Sequence, residues 1–239
     1  MAVSTAVDPQ AVSLILAMRR LWSDHVVWTR DYIIAATSGL PEAEAAANRL
    51  LRNQEDIGNA VVPLYGEAAG QALTDLLKQH VLIAVDLVDA AKNGDDAKFQ
   101  ENDRKWTENA QQIAALLSSA NPDNWSEADV MDLLRQHLEL TKGEVVARLQ
   151  GKWNDDIAAF DDIYTEILTV SDVLSEGLIK QFPDTFGSQR IAQPAAASAT
   201  PAEPIVHPEA MPTNPEQQEN IVFESHQVGF NIDSERPKA

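Results

Sequence analysis

Leu21-Trp22-Ser23-Asp24-His25-Val26, Leu76-Leu77-Lys78-Gln79-His80-Val81 and Leu133-Leu134-Arg135-Gln136-His137-Leu138 are three versions of one phrase. Each reads leucine, large apolar residue, polar residue, Asp or Gln, histidine, aliphatic residue. The histidines stand 55 and 57 residues apart, and Gly39, Gly94 and Gly151 are separated by the same two intervals. A phrase that returns at that period, with a glycine at a constant distance behind it, marks a repeated supersecondary unit. Apolar residues around each histidine recur at helical spacing, the glycine punctuates, and a second helical stretch follows. The chain is therefore expected to be all-α. The expected architecture is an antiparallel bundle of about six helices from three tandem helical hairpins, at about residues 9–63, 67–120 and 126–183, within a bundle region of residues 1–186.

Local signals place the helix ends. Gly39, Leu40 and Pro41 interrupt the first helix, and Glu42 and Glu44 open the second, which Pro63 is expected to stop. Asn93-Gly94 and Asn121-Pro122 close the third and fourth. Ser126 reads as the N-cap of the fifth, with Asp129 at its third position and Trp125 placed to staple against Val130. Gly151 separates the fifth helix from the sixth, and Gln181-Phe182-Pro183 ends the latter.

An antiparallel hairpin brings residues equidistant from its turn to one height. Counting forward from each histidine pairs His25 with Asn53, His80 with Asn109 and His137 with Glu166. Each partner is bracketed by apolar residues on one stripe: Leu50 and Ile57, Trp106 and Ile113, Ile163 and Val170. Partners and histidines thus face inward and form one polar layer across an apolar bundle. Only the third hairpin adds carboxylates to these faces, through Glu144 and Glu166.

Three readings of the layer follow. In the first, each imidazole hydrogen-bonds its partner, which locks hairpin register and satisfies buried polar groups, and the bundle is non-enzymatic. In the second, His25, His80 and His137 converge on one divalent transition metal, zinc or iron, with Glu166 or Glu144 as fourth ligand or supporting partner. That reading needs the first, third and fifth helices to be mutual neighbours. A third use of the layer, with Trp22, Trp28, Tyr32, Trp106 and Tyr164, is a small-molecule or haem pocket. No HExxH, Glu-x-x-His pair, phosphate loop or nucleophile elbow is present in the sequence, so no catalytic residues are assigned. The acidic cluster Asp155, Asp156, Asp161 and Asp162 suits the start of a helix, where negative charge meets the dipole.

The formal charge is −19, from 37 acidic and 18 basic residues, which repels nucleic-acid backbones and anionic lipid and leaves neither as an expected partner. Cysteine is absent, which removes disulfides and thiolate sites from consideration. The N-terminal stretch reads as the first helix and not as a signal peptide, no segment approaches the length of a spanning helix, and a cytoplasmic location is expected. Residues 187–220 carry six prolines, Pro194, Pro201, Pro204, Pro208, Pro212 and Pro215, and read as a disordered linker. Residues 221–239 then regain apolar character. Val222, Val228, Phe230 and Ile232 share an alternating face next to Phe223, the pattern of a docking peptide for a protein partner, against the plainer reading of a loose terminus.

The segments Leu21-Trp22-Ser23-Asp24-His25-Val26-Val27-Trp28-Thr29-Arg30, Asn121-Pro122 with Trp125, and Gln181-Phe182-Pro183 resemble a family of small bacterial helical-bundle proteins that has no established activity. The resemblance covers about residues 10–186 and implies the all-α fold and no function. A looser likeness to hemerythrin-like and ferritin-like bundles is one of architecture, and the ligand spacing of those proteins is not reproduced.

Overall fold

A computed structural model of the chain describes residues 8–186. The linker and the docking peptide with Val222, Phe223, Val228, Phe230 and Ile232 lie outside the described residues. Six long helices, α1 (Pro9–Ser38), α2 (Ala43–Tyr65), α3 (Glu67–Asn93), α4 (Asp96–Ala120), α5 (Glu127–Leu149) and α6 (Trp153–Gln181), precede the single turn α7 (Pro183–Phe186). The chain is an all-α antiparallel bundle, as the repeat requires.

Local chemistry sets the ends of these helices. Asp8 caps α1 by accepting from the amides of Gln10 and Ala11, and Pro9 occupies the first helical position, where its missing N–H costs nothing. Asp95 caps α4 and Ser126 caps α5 in the same manner. The repeated glycines Gly39, Gly94 and Gly151 take φ of +69°, +66° and +67°, the left-handed conformation that turns each hairpin. Pro63 does not stop α2. It sits in the last turn, where it forfeits one backbone hydrogen bond, and the helix runs on to Tyr65 until Gly66, at φ +84°, turns the chain.

Each helix packs on the next in sequence, and α6 returns to pack on α1, so the hairpins close into a ring and do not stack as an open solenoid. Inside the ring α1, α3 and α5 touch one another. Glycine permits a close approach where α2 crosses α3. A Cβ on Gly58 would lie 2.7 Å from the Gly70 carbonyl oxygen, and one on Gly70 would lie 2.8 Å from that of Gly58. The Asn121-Pro122…Trp125 loop docks on α6. Asn121 Nδ2 donates to the Gly177 carbonyl at 3.0 Å, and Trp125 Nε1 donates to that of Val173 at 3.3 Å.

Two apolar clusters fill the ring. The smaller, at the hairpin-glycine end, contains Tyr32, Ile33, Ala46, Val88 and Val145; the larger, toward the other end, is built around Met18, Trp22, Ile57, Leu77, Trp106 and Leu174. The histidine layer lies between them. Among the described residues no helix is long and apolar enough to cross a membrane.

Candidate functional site

His25 on α1, His80 on α3 and His137 on α5 are buried at one level because each sits on the inward stripe of a helix that meets the other two. The ring centres of His25 and His137 are 5.6 Å apart and those of His80 and His137 are 6.4 Å apart. All three line one chamber of about 30 Å³, walled by apolar side chains such as Leu50, Leu87 and Val145. That volume suits a species of one or a few heavy atoms.

Each imidazole is anchored through Nδ1 by the second helix of its own hairpin. His80 Nδ1 meets Asn109 Oδ1 at 2.8 Å, and His137 Nδ1 meets Glu166 Oε2 at 2.9 Å, both as the register count expects. His25 departs from the count. Its Nδ1 meets Gln54 Nε2 at 3.1 Å, while Asn53 Nδ2 donates instead to the Leu21 carbonyl at 3.0 Å. The physical reason is visible in the spacing: the other two hairpins place the partner 29 residues on, and from His25 that interval arrives at Gln54. Asn53 keeps the second task of Asn109, whose Nδ2 donates to the equivalent carbonyl of Leu76 at 3.1 Å. Glu166 has no N–H for that task, and its buried Oε1 has no hydrogen-bond partner. Among the described residues none of the three Nε2 atoms is hydrogen-bonded to the protein.

Burial holds the His25 and His80 imidazoles neutral. It pushes the His25 ring well below the usual histidine range, helped by the neighbouring His137 and His80, and it pushes His80 down to about 3, with His137 adding to the effect. Trp22 packs edge-on against His25, Trp106 lies tilted by 38° against His80, and the indole N–H of each is buried without an acceptor.

Glu144 does not join the histidines. Two helical turns along α5 from His137, it is drawn to Arg30 on α1, with Nη1 to Oε1 at 2.5 Å. Arg30 also holds Asp156 of α6 at 3.0 Å, and Arg148 reaches Asp156 at 3.1 Å. Burial pushes the Glu144 carboxyl up to about 7 against the pull of Arg30. Asp156, which the sequence groups with its neighbours as a helix-dipole residue, is thus a buried partner of two arginines, while Asp155, Asp161 and Asp162 are exposed. Arg30 ends the Leu21–Arg30 motif quoted above, but the sequence assigns it no partner; its role depends on α1 lying beside α5 and α6.

Among the described residues, no group of three or more His, Asp or Glu is gathered closely enough to hold a metal ion as it stands. The site therefore consists of three anchored, buried imidazoles around a small apolar-walled chamber, with a carboxylate behind one of them. No family of proteins, no curated protein and no solved structure matches the chain.

Proposed function

We propose that this chain is a non-enzymatic binding protein whose histidine chamber takes one divalent transition-metal ion, zinc or iron. The observation that carries the reading is the division of each imidazole between an engaged Nδ1 and an Nε2 without a protein partner beside a common chamber. A hydrogen bond from Nδ1 to an amide or carboxylate oxygen orients a metal-ligating histidine and raises its basicity, and His80 and His137 carry such bonds. Glu166, behind His137, supplies negative charge that neutral ligands lack. Two imidazoles on one tetrahedral ion place their ring centres about 5 Å apart. The ring centres here stand 5.6 Å and 6.4 Å apart.

The experiment is thermal melting of the untagged full chain with and without chelator. Equimolar zinc is expected to raise Tm in the wild type and to leave His80→Ala unchanged, since a ligand that binds only the folded state stabilises it by mass action. Equal shifts in both proteins, or none in either, would reject the chamber as the site.

A second reading concerns the tail and is favoured by the alternating apolar face of Val222, Val228, Phe230 and Ile232 behind the proline-rich stretch. It assigns residues 221–239 to a protein partner, which the bundle meets through that peptide. Deleting them is expected to abolish partner co-purification with helical content unchanged, and retained co-purification would remove the idea.

A further inference from the structure

We infer that an exposed apolar groove between α1 and the first half of α6 docks a basic amphipathic helix of a protein partner. The inference rests on neither the metal reading nor residues 221–239.

Trp153, Ile157, Phe160, Tyr164, Ser171 and Ser175 follow one another at steps of four, three, four, seven and four residues, so they share one stripe of α6. The stripe changes character along its length. Ser171 and Ser175 are 0% exposed, close to the point where Arg19 of α1 pairs with Asp172. Trp153, Ile157 and Tyr164 are 57%, 54% and 37% exposed. The side chains at the contact explain the difference, because they set how near two helices come. Serines let α1 close on α6. Nearer the start of α6 the long side chain of Arg30 spans the gap, with its guanidinium 4.7 Å over the Phe160 ring and paired with Asp156. There α1 stands off and leaves the stripe open. Val27, one turn before Arg30, is also exposed and adds an apolar edge from α1.

Charge and composition decide the occupant. From Trp153 to Ile179, α6 holds seven acidic residues and no Lys or Arg. Asp161 is exposed one turn from both Ile157 and Tyr164, and Asp31 is exposed beside Arg30 in sequence. Arg30 itself is engaged by Glu144 and Asp156. The groove thus combines an acidic rim with exposed Trp and Tyr, the residue types that most often anchor an interface. A second copy of this chain, itself at −19, would set Asp31 and Asp161 against like charge, and an anionic membrane would be repelled in the same way. A partner helix with a Leu, Ile or Phe stripe flanked by Lys and Arg matches both the apolar face and the rim. The open stretch from Trp153 to Tyr164 rises about 17 Å, so it receives about three turns of that helix.

The test uses the untagged full chain in chelator and a fluorescent peptide of Leu and Lys about five turns long, with its leucines on one face. A scrambled peptide of the same composition controls for charge. The amphipathic peptide is expected to bind about tenfold or more tightly than the scrambled one. Ile157→Ser is expected to weaken that binding by about tenfold or more, while Leu82→Ser, at a comparably exposed position on α3, leaves it unchanged. Asp161→Asn is expected to weaken it and to flatten its dependence on salt. Circular dichroism checks that the variants stay folded. Equal affinity for the two peptides, or undiminished binding to Ile157→Ser, reduces the attraction to net charge and overturns the inference. A wild-type dimer in sedimentation that Ile157→Ser dissolves would assign the groove to a second copy, which also overturns it.

Discussion

His25 and His80 are neutral because they are buried, and that neutrality has a measurable cost in acid. The unfolded histidine titrates near 6.5, whereas burial pushes both rings far below it, His80 to about 3. Below pH 6.5 the unfolded chain takes up protons that the folded chain refuses, so each ring removes about 1.4 kcal/mol of stability per pH unit as the pH falls. Glu144 acts in the opposite sense, since its folded carboxyl is raised from 4.5 to about 7 and stays protonated where the unfolded one has ionised. Between about pH 4.5 and 6.5 the two histidines outweigh the one carboxyl by about 1.4 kcal/mol per unit. Urea denaturation in chelator at about pH 5 and pH 6.5 is expected to show the lower stability at the lower pH, and the His80→Gln variant a much flatter dependence. Stability that rises on acidification would contradict the burial argument. At this scale the inward histidines, Asn109 and Glu166 were legible from periodicity and hairpin counting. Gln54 was not, because choosing it over Asn53 takes one residue of register, which a repeat with intervals of 55 and 57 residues leaves open.

The helices were legible where a residue type has one conformational use. Gly39, Gly94 and Gly151 announce left-handed turns, and the Ser126 cap announces α5. Pro63 misled because, two residues from the end of α2, it forfeits one backbone hydrogen bond and leaves almost no helix beyond it to disrupt. Gly58 and Gly70 are invisible as contacts in the sequence, since their meaning comes from the face α2 shows to α3. A Cβ on Gly58 would stand 1.9 Å from Thr74 Oγ1 as well as against the Gly70 carbonyl. Gly58→Ala is therefore expected to destabilise the bundle by about 1–3 kcal/mol through overpacking. Gly143, inside α5 with nothing within 4 Å of a built Cβ, serves as the control. Gly143→Ala is expected to stabilise by about 0.5–1 kcal/mol from helix propensity alone. Chemical denaturation of both variants checks the pair, and equal effects would show that the close approach of α2 and α3 is not limiting.

Closure of the ring is a property of the whole molecule that periodicity does not encode. The contact of α6 with α1 rests partly on Arg30, which holds Glu144 and Asp156 across α1, α5 and α6 in a buried network. Arg30→Ala leaves two buried carboxylates with only Arg148 on Asp156. Glu144, already raised to about 7, then holds its proton, so the expected cost is about 1–3 kcal/mol, the loss of the buried hydrogen bonds to Arg30, read as a lower denaturation midpoint. A loss below about 1 kcal/mol would mean that the network is solvated and contributes little to closure. Closure also brings α1, α3 and α5 together, and through them His25, His80 and His137, the condition that the metal reading set. Elemental analysis of the untagged full-length protein tests that reading most directly. One zinc or iron per chain is expected in the wild type and a substoichiometric trace in His80→Ala; substoichiometric metal in both would rule the site out.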